Sequence, residues 1–135
     1  MPNRKFVFDF DSTLTSVEGL DLLADISLNN NPQKEDIINE IQKITDLGID
    51  GDISFPESLN RRIALLKANK NQLIELVGIL KNKLSVSVKE NKEFFKKYKN
   101  QIYVIYWGWK KLLVRVVTIY VIDTERFFAI TFSLV

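Results

Sequence analysis

The stretch that decides the fold is KFVFDFDSTL, residues 5–14. Lys5–Phe10 is a short apolar run rich in aromatic and β-branched residues, which predicts a buried strand. It ends in two aspartates, Asp9 and Asp11, on either side of Phe10. Residues two apart in an extended strand point the same way, so both carboxylates can face one site. The carboxyl edge of a parallel sheet is where α/β proteins build ligand sites. Two close carboxylates repel unless they share a proton or a cation. Mg²⁺ suits such a pair, because it takes oxygen ligands and works with one or two carboxylates plus a substrate phosphate. One aspartate can then attack phosphorus, and the other can serve as general acid and base. Thr13 is placed to orient a carboxylate or the backbone. The bland alternative is a solvated turn whose aspartates are incidental. Placement between a buried strand and a helix favours the site.

Outward from this stretch, Val17–Leu28 reads as a helix with Leu20, Leu23 and Ala24 inward. Asn31-Pro32 marks a helix start with proline at the first helical position. Ile37, Ile38, Ile41 and Ile44 form its apolar face, and Gly48 supplies its stop. Ser54 and Glu57 fit a capping box before Leu59, Ile63 and Leu66. Leu73, Ile74, Val77 and Leu80 mark a further helix. Val88, Phe95 and Tyr98 give the inner face of a lysine-rich helix over 89–99. Ile102–Tyr106 is a second strand, Lys110–Val117 a helix, and Arg126–Leu134 a third strand. Strand, long helical block, strand, helix, strand points to a parallel α/β sheet. The block is too long for an ordinary crossover and reads as an inserted helical cap. The expected division is an α/β core of residues 1–16 and 100–135, with residues 17–99 as cap and connecting helices.

Composition narrows the chemistry. The chain has 135 residues, 46% hydrophobic and 27% charged, with no cysteine and no histidine. That excludes disulfides, thiol nucleophiles, zinc sites of the Cys/His kind and Ser-His-Asp triads. Catalysis must rest on carboxylates, hydroxyls, lysine, arginine or a hard cation. The net charge of +2 names no partner. Acid predominates in the first half and base in the second, with Lys89, Lys92, Lys96, Lys97 and Lys99 concentrated beside Phe94, Phe95 and Tyr98. A small nucleic-acid-binding surface is one reading of that cluster; a solvated face of an amphipathic helix is the favoured one. No run reaches the ~20 apolar residues of a membrane span. The apolar segment after Lys5 is too short for a secretory signal, and the lack of cysteine fits a cytoplasmic protein.

FDFDSTLTSVEGLDLLA resembles the first motif of the haloacid dehalogenase (HAD) superfamily, specifically of phosphoserine phosphatases. DGDISFPESLNRRIALL, residues 50–66, is similar to the family's cap segment. IYVIYWGW, residues 102–109, is similar to its second motif, and ERFFAITF, residues 125–132, resembles the strand that follows. The resemblance implies a Rossmann-like HAD core with a helical cap, and hydrolysis of a small phosphorylated substrate, phosphoserine, in serine biosynthesis. It implies Asp9 as nucleophile, Asp11 as acid and base, and Mg²⁺ on the Asp9 carboxylate and the Asp11 backbone carbonyl. Backbone N–H groups of Phe10, Asp11 and Trp107 would hold phosphate oxygens. Glu18 would pair with the substrate ammonium and Arg62 with its carboxylate, a task suited to a two-pronged guanidinium. Ile49, Phe55 and Gly108 would line the substrate. Without the resemblance, Glu18 reads as an acid near a helix N-terminus and Arg62 as a solvated helix residue.

The pattern departs from the family at Tyr106 and Trp107, where serine and glycine are usual. The family's later lysine and Gly-Asp block have no counterpart by Val135, so a truncated core is expected, with half the metal and phosphate groups and an open edge on the first strand. A non-catalytic remnant or binding module of the same fold is the alternative.

Overall fold

The computed structural model describes residues 4–107 and 127–130, with side chains over 4–105. The elements are β1 (Phe6–Asp9), α1 (Gly19–Ser27), α2 (Lys34–Ile49), α3 (Phe55–Leu66), α4 (Lys70–Lys81), α5 (Val86–Glu90), α6 (Lys92–Lys97), β2 (Ile102–Trp107) and β3 (Phe127–Ile130). All three strands run parallel in the order β1-β2-β3, with Phe6 opposite Ile102 and Val104 opposite Phe127. The chain is a helix-rich α/β protein with a small parallel sheet. Its predicted helix over 110–117 lies outside the described residues, as do residues 126 and 131–134 of its predicted third strand. Contacts divide the chain into two units, Met1–Glu18 with Val77–Val135, and Gly19–Leu76. Residues 77–99, which fall within the expected cap and connecting helices, group by contact with the strands.

The physical reason is aromatic. Strand alternation puts Phe6 and Phe8 on one face of β1, beside the fully buried Ile102 and Val104 of β2. That face is covered by rings from α6 and its C-terminal end. Phe6 meets Phe94 edge-on at 5.1 Å and Tyr98 at 5.2 Å, and Phe8 meets Phe95 at 5.4 Å. Such pairs contribute about 0.5–1.5 kcal/mol each beyond their buried area. The expected single lysine-rich helix is instead two short ones, broken at Asn91. The Asn91 side chain donates to the Ser87 carbonyl at 2.6 Å, the local competition that makes asparagine a poor helix interior residue. The opposite face of β1 carries Val7, which is 60% exposed, and Asp9. As the first strand in the order β1-β2-β3, β1 is an edge strand of the described sheet.

In the second unit α2 packs against α3. Helix α2 begins at Lys34, two residues later than the proline suggested, because Asn31 Oδ1 takes the Gln33 N–H in a local turn at 2.8 Å. On its apolar face Ile44 is buried and Ile38 is 40% exposed. Gly48 does not stop α2; the helix runs on to Ile49, and the left-handed turn residue is Gly51 at φ 80°. Gly48 instead allows α3 to come close. A Cβ there would stand 2.8 Å from Ser58 Oγ, whose hydroxyl is buried and donates to the Ile44 carbonyl at 3.0 Å. Half of the predicted capping box forms at α3. Ser54 Oγ accepts from the Glu57 N–H, while the Glu57 side chain pairs with Arg61.

Two glycines in helix interiors, Gly48 and Gly78, give opposite predictions. Gly48→Ala drives a Cβ into Ser58 and costs about 1–3 kcal/mol, against a helix propensity that alone favours alanine. Gly78→Ala, in α4, meets nothing within 4 Å and stabilises by about 0.5–1 kcal/mol. Urea unfolding of the two variants measures both signs.

Candidate active site

Buried apolar side chains stand in the aspartate loop and in the segment that follows α4. Phe10 and Leu14 are fully buried, and Leu84 and Val88 nearly so. β1 ends at Asp9, in extended backbone, and the chain turns over Phe10–Leu14 with Ser12 left-handed at φ 58°. Strand alternation therefore carries only as far as Asp9; Asp11 stands in the turn, held by the same buried Phe10. Asp9 Oδ1 accepts the Phe10 N–H at 2.8 Å. That amide holds the expected nucleophile in this conformation, where a phosphate oxygen was expected.

A second set of bonds closes the turn. The Thr15 N–H donates to the Phe10 carbonyl at 3.2 Å, and the Ser12 N–H to the Val17 carbonyl at 3.2 Å. The buried Thr15 hydroxyl reaches the same Val17 carbonyl at 2.9 Å. The loop is then tied to the segment after α4. The Ser16 N–H donates to Lys83 O at 2.7 Å, the Ser85 N–H to Leu14 O at 3.0 Å, and Thr15 bridges Leu84 in antiparallel fashion. Thr13 lies exposed on the loop. The hydroxyls that order it are those of Thr15, Ser16 and Ser12, and the last donates to Glu18 Oε1 at 2.6 Å. Asp9, Phe10, Asp11, Thr13 and Glu18 thus belong to one loop of one unit.

Arg62, Ile49 and Phe55 belong to the other unit. Arg62 is half-buried on α3, and its Nε donates back to the Ser58 carbonyl at 3.3 Å. Its terminal amino groups are the pair that a carboxylate would take. Burial pushes the guanidinium pKa below its ordinary value, and nearby Asp21 pushes it back up; the group stays charged at neutral pH. Ile49 closes α2 and is 77% exposed; Phe55 opens α3 and is 44% exposed. Both carry open apolar surface at helix ends. Trp107 is the last residue of β2, with its backbone opposite Ile130 of β3; Gly108 lies outside the described residues.

Asp9 and Asp11 supply the hard oxygen donors that a magnesium ion takes. Among the described residues no group of three or more carboxylates gathers that could hold a metal ion, at the aspartate loop or elsewhere. The rings of Phe94, Phe95 and Tyr98 pack against Phe6 and Phe8 of β1. No described helix is long and apolar enough to cross a membrane.

No family model matches the chain. The phosphoserine phosphatase of Wolinella succinogenes is 39% identical over 69 residues, which are 51% of this chain and 30% of that protein. A phosphoserine phosphohydrolase-like protein of Francisella tularensis superposes with a TM-score of 0.73 at 31% identity, over 94% of this chain and 58% of its own. A substrate-bound phosphoserine phosphatase shares the fold, with a TM-score of 0.66 at 22% identity over 99% of this chain and 59% of its own. The chain thus spans between about a third and three fifths of the length of these proteins. Similarity in sequence covers about half of this chain and similarity in fold nearly all of it, so the chain is related to the phosphoserine phosphatase-like proteins of the haloacid dehalogenase superfamily.

Proposed function

We propose that this chain carries the nucleophile half of a phosphomonoester hydrolase acting on phosphoserine, in the manner of the phosphatases it resembles. The observation that carries the reading is the clamped loop itself, two aspartates flanking a buried phenylalanine at the carboxyl end of a parallel strand. Asp9 attacks phosphorus, and the bond from phosphorus to the seryl oxygen breaks. Asp11, protonated at that moment, gives its proton to the departing oxygen. Asp11 then takes a proton from water as that water attacks the phosphorus of the aspartyl-phosphate. The bond from phosphorus to Asp9 breaks, and inorganic phosphate leaves.

Phe10 is the hinge of this scheme. Its N–H holds Asp9 Oδ1, so the carboxylate is oriented before substrate arrives, and the other oxygen is the one directed to phosphorus. Asp9 and the Asp11 carbonyl are the proposed magnesium ligands. When bound, Mg²⁺ supplies positive charge where the phosphoryl oxygens gather negative charge. Glu18 and Arg62 are the proposed partners of the substrate ammonium and carboxylate, with Ile49 and Phe55 as apolar lining. Supply of serine and a cytoplasmic setting follow from the same reading.

One observation favours a second reading, a serine-binding module without turnover. The Phe10 amide is already taken by Asp9, which removes a phosphate donor. Turnover separates the two. In phosphatase assays with Mg²⁺, the enzyme reading predicts phosphate release from phosphoserine, and loss of at least about 10³-fold of it in Asp9→Asn. A folded chain that binds serine and releases no phosphate establishes the module. For Arg62→Ala, loss of one charge-assisted bidentate pair predicts about a 10- to 100-fold rise in KM or Kd for phosphoserine. The same variant leaves a phosphomonoester without a carboxylate nearly unaffected. Equal losses on both substrates contradict the assignment.

A further inference from the structure

The residue between the catalytic pair and the rest of the loop has a side chain that neither the chemistry above nor the turn requires. Ser12 sits at φ 58°, a backbone state that glycine adopts without strain and serine does not. If turn geometry were its only task, glycine would serve better. Its hydroxyl is in use. It donates to Glu18 Oε1 at 2.6 Å, a short bond to a charged acceptor. Its N–H donates to the Val17 carbonyl, the residue before Glu18, and the Thr15 hydroxyl donates to that same carbonyl. Backbone at Val17 is therefore fixed by two bonds, and the side chain that follows by a third.

We propose that Ser12 is a positioning residue, which holds the Glu18 carboxylate at a set place relative to the aspartate loop so that it meets the ammonium group of an amino-acid substrate. The inference rests on the phosphoserine reading and deepens it. Glu18 is exposed, and a glutamate on the surface has several rotamers to give up when it engages a ligand. A hydroxyl that already holds one of them removes part of that entropy cost before binding. Because Ser12 lies in the turn that carries Asp11 and follows Asp9, the tether also sets the spacing between ammonium and phosphoryl group. Specificity for an α-amino acid is then built into the loop that carries the nucleophile.

The test compares L-serine, which has ammonium and carboxylate and nothing to hydrolyse, with the same molecule lacking the amino group, by NMR titration of the whole chain. Ser12→Gly removes the hydroxyl and relieves the backbone, so the fold is retained. It is expected to weaken L-serine binding about 3- to 10-fold and to leave the desamino compound unmoved. Ser12→Asn keeps a donor and tolerates the left-handed backbone, and it restores binding. In a Glu18→Ala background Ser12→Gly has no further effect. Equal weakening of both ligands, or a Ser12→Gly effect that persists without Glu18, overturns the proposal. If wild-type chain binds neither ligand, the phosphoserine reading fails on its own. A thermal double-mutant cycle over Ser12→Gly and Glu18→Ala then decides the tether, with non-additive melting temperatures supporting it and additive ones refuting it.

Discussion

The site depends on one constraint, the burial of Phe10 between two carboxylates that must stay wet. An aspartate cannot follow its neighbour into an apolar core without losing its hydration. The backbone therefore turns at Phe10, keeping Asp9 at the strand end and Asp11 in the turn while the ring goes inward. Everything near the loop serves that arrangement. The Asp9 carboxylate takes the Phe10 amide, Thr15 closes the turn, and the Leu84 bridge pins it to the segment after α4. A loop built this way keeps charged groups fixed without burying them, which is what attack by a carboxylate requires.

The second unit is organised by a close approach instead of a buried ring. Gly48 lets α3 press onto α2, and Ser58 turns the contact into a buried hydrogen bond. One turn further along α3 stands Arg62, whose Nε reaches back to the carbonyl of that same Ser58. The packing that joins the helices and the posture of the arginine thus share a residue. A change at Ser58 or Gly48 reaches the guanidinium through its hydrogen bond, with no contact to any ligand.

Much of this was legible in the residues. The strand, the turn and the parallel α/β class followed from KFVFDFDSTL and the order of elements, and the helices of the inserted block followed from apolar spacing. The likeness to phosphoserine phosphatases rested on collinear motifs, and the comparisons support it. What the sequence hid was local or long-range. The Asn31 turn delayed α2, and the Asn91 side chain split the lysine-rich helix; both are side-chain bonds to nearby backbone that spacing alone does not reveal. Gly48 looked like a helix stop because glycine often is one, and only the facing Ser58 shows its use. Thr13 drew attention as the hydroxyl in the motif, whereas Thr15, Ser16 and Ser12 carry the bonds. Thr15 and Ser12 bond within the loop, while the partner of Ser16, the Lys83 carbonyl, lies so far along the chain that no local pattern could pair them.

The claim on which the account stands is that Asp9 becomes phosphorylated. Rapid acid quench of the chain with phosphoserine and Mg²⁺, followed by peptide mass spectrometry, reads it directly. The account predicts one phosphoryl group on the peptide containing Asp9, lost on treatment with hydroxylamine and absent from Asp9→Asn. Phosphate release with no phosphoryl group on that peptide under quench, or with the group on another residue, contradicts it.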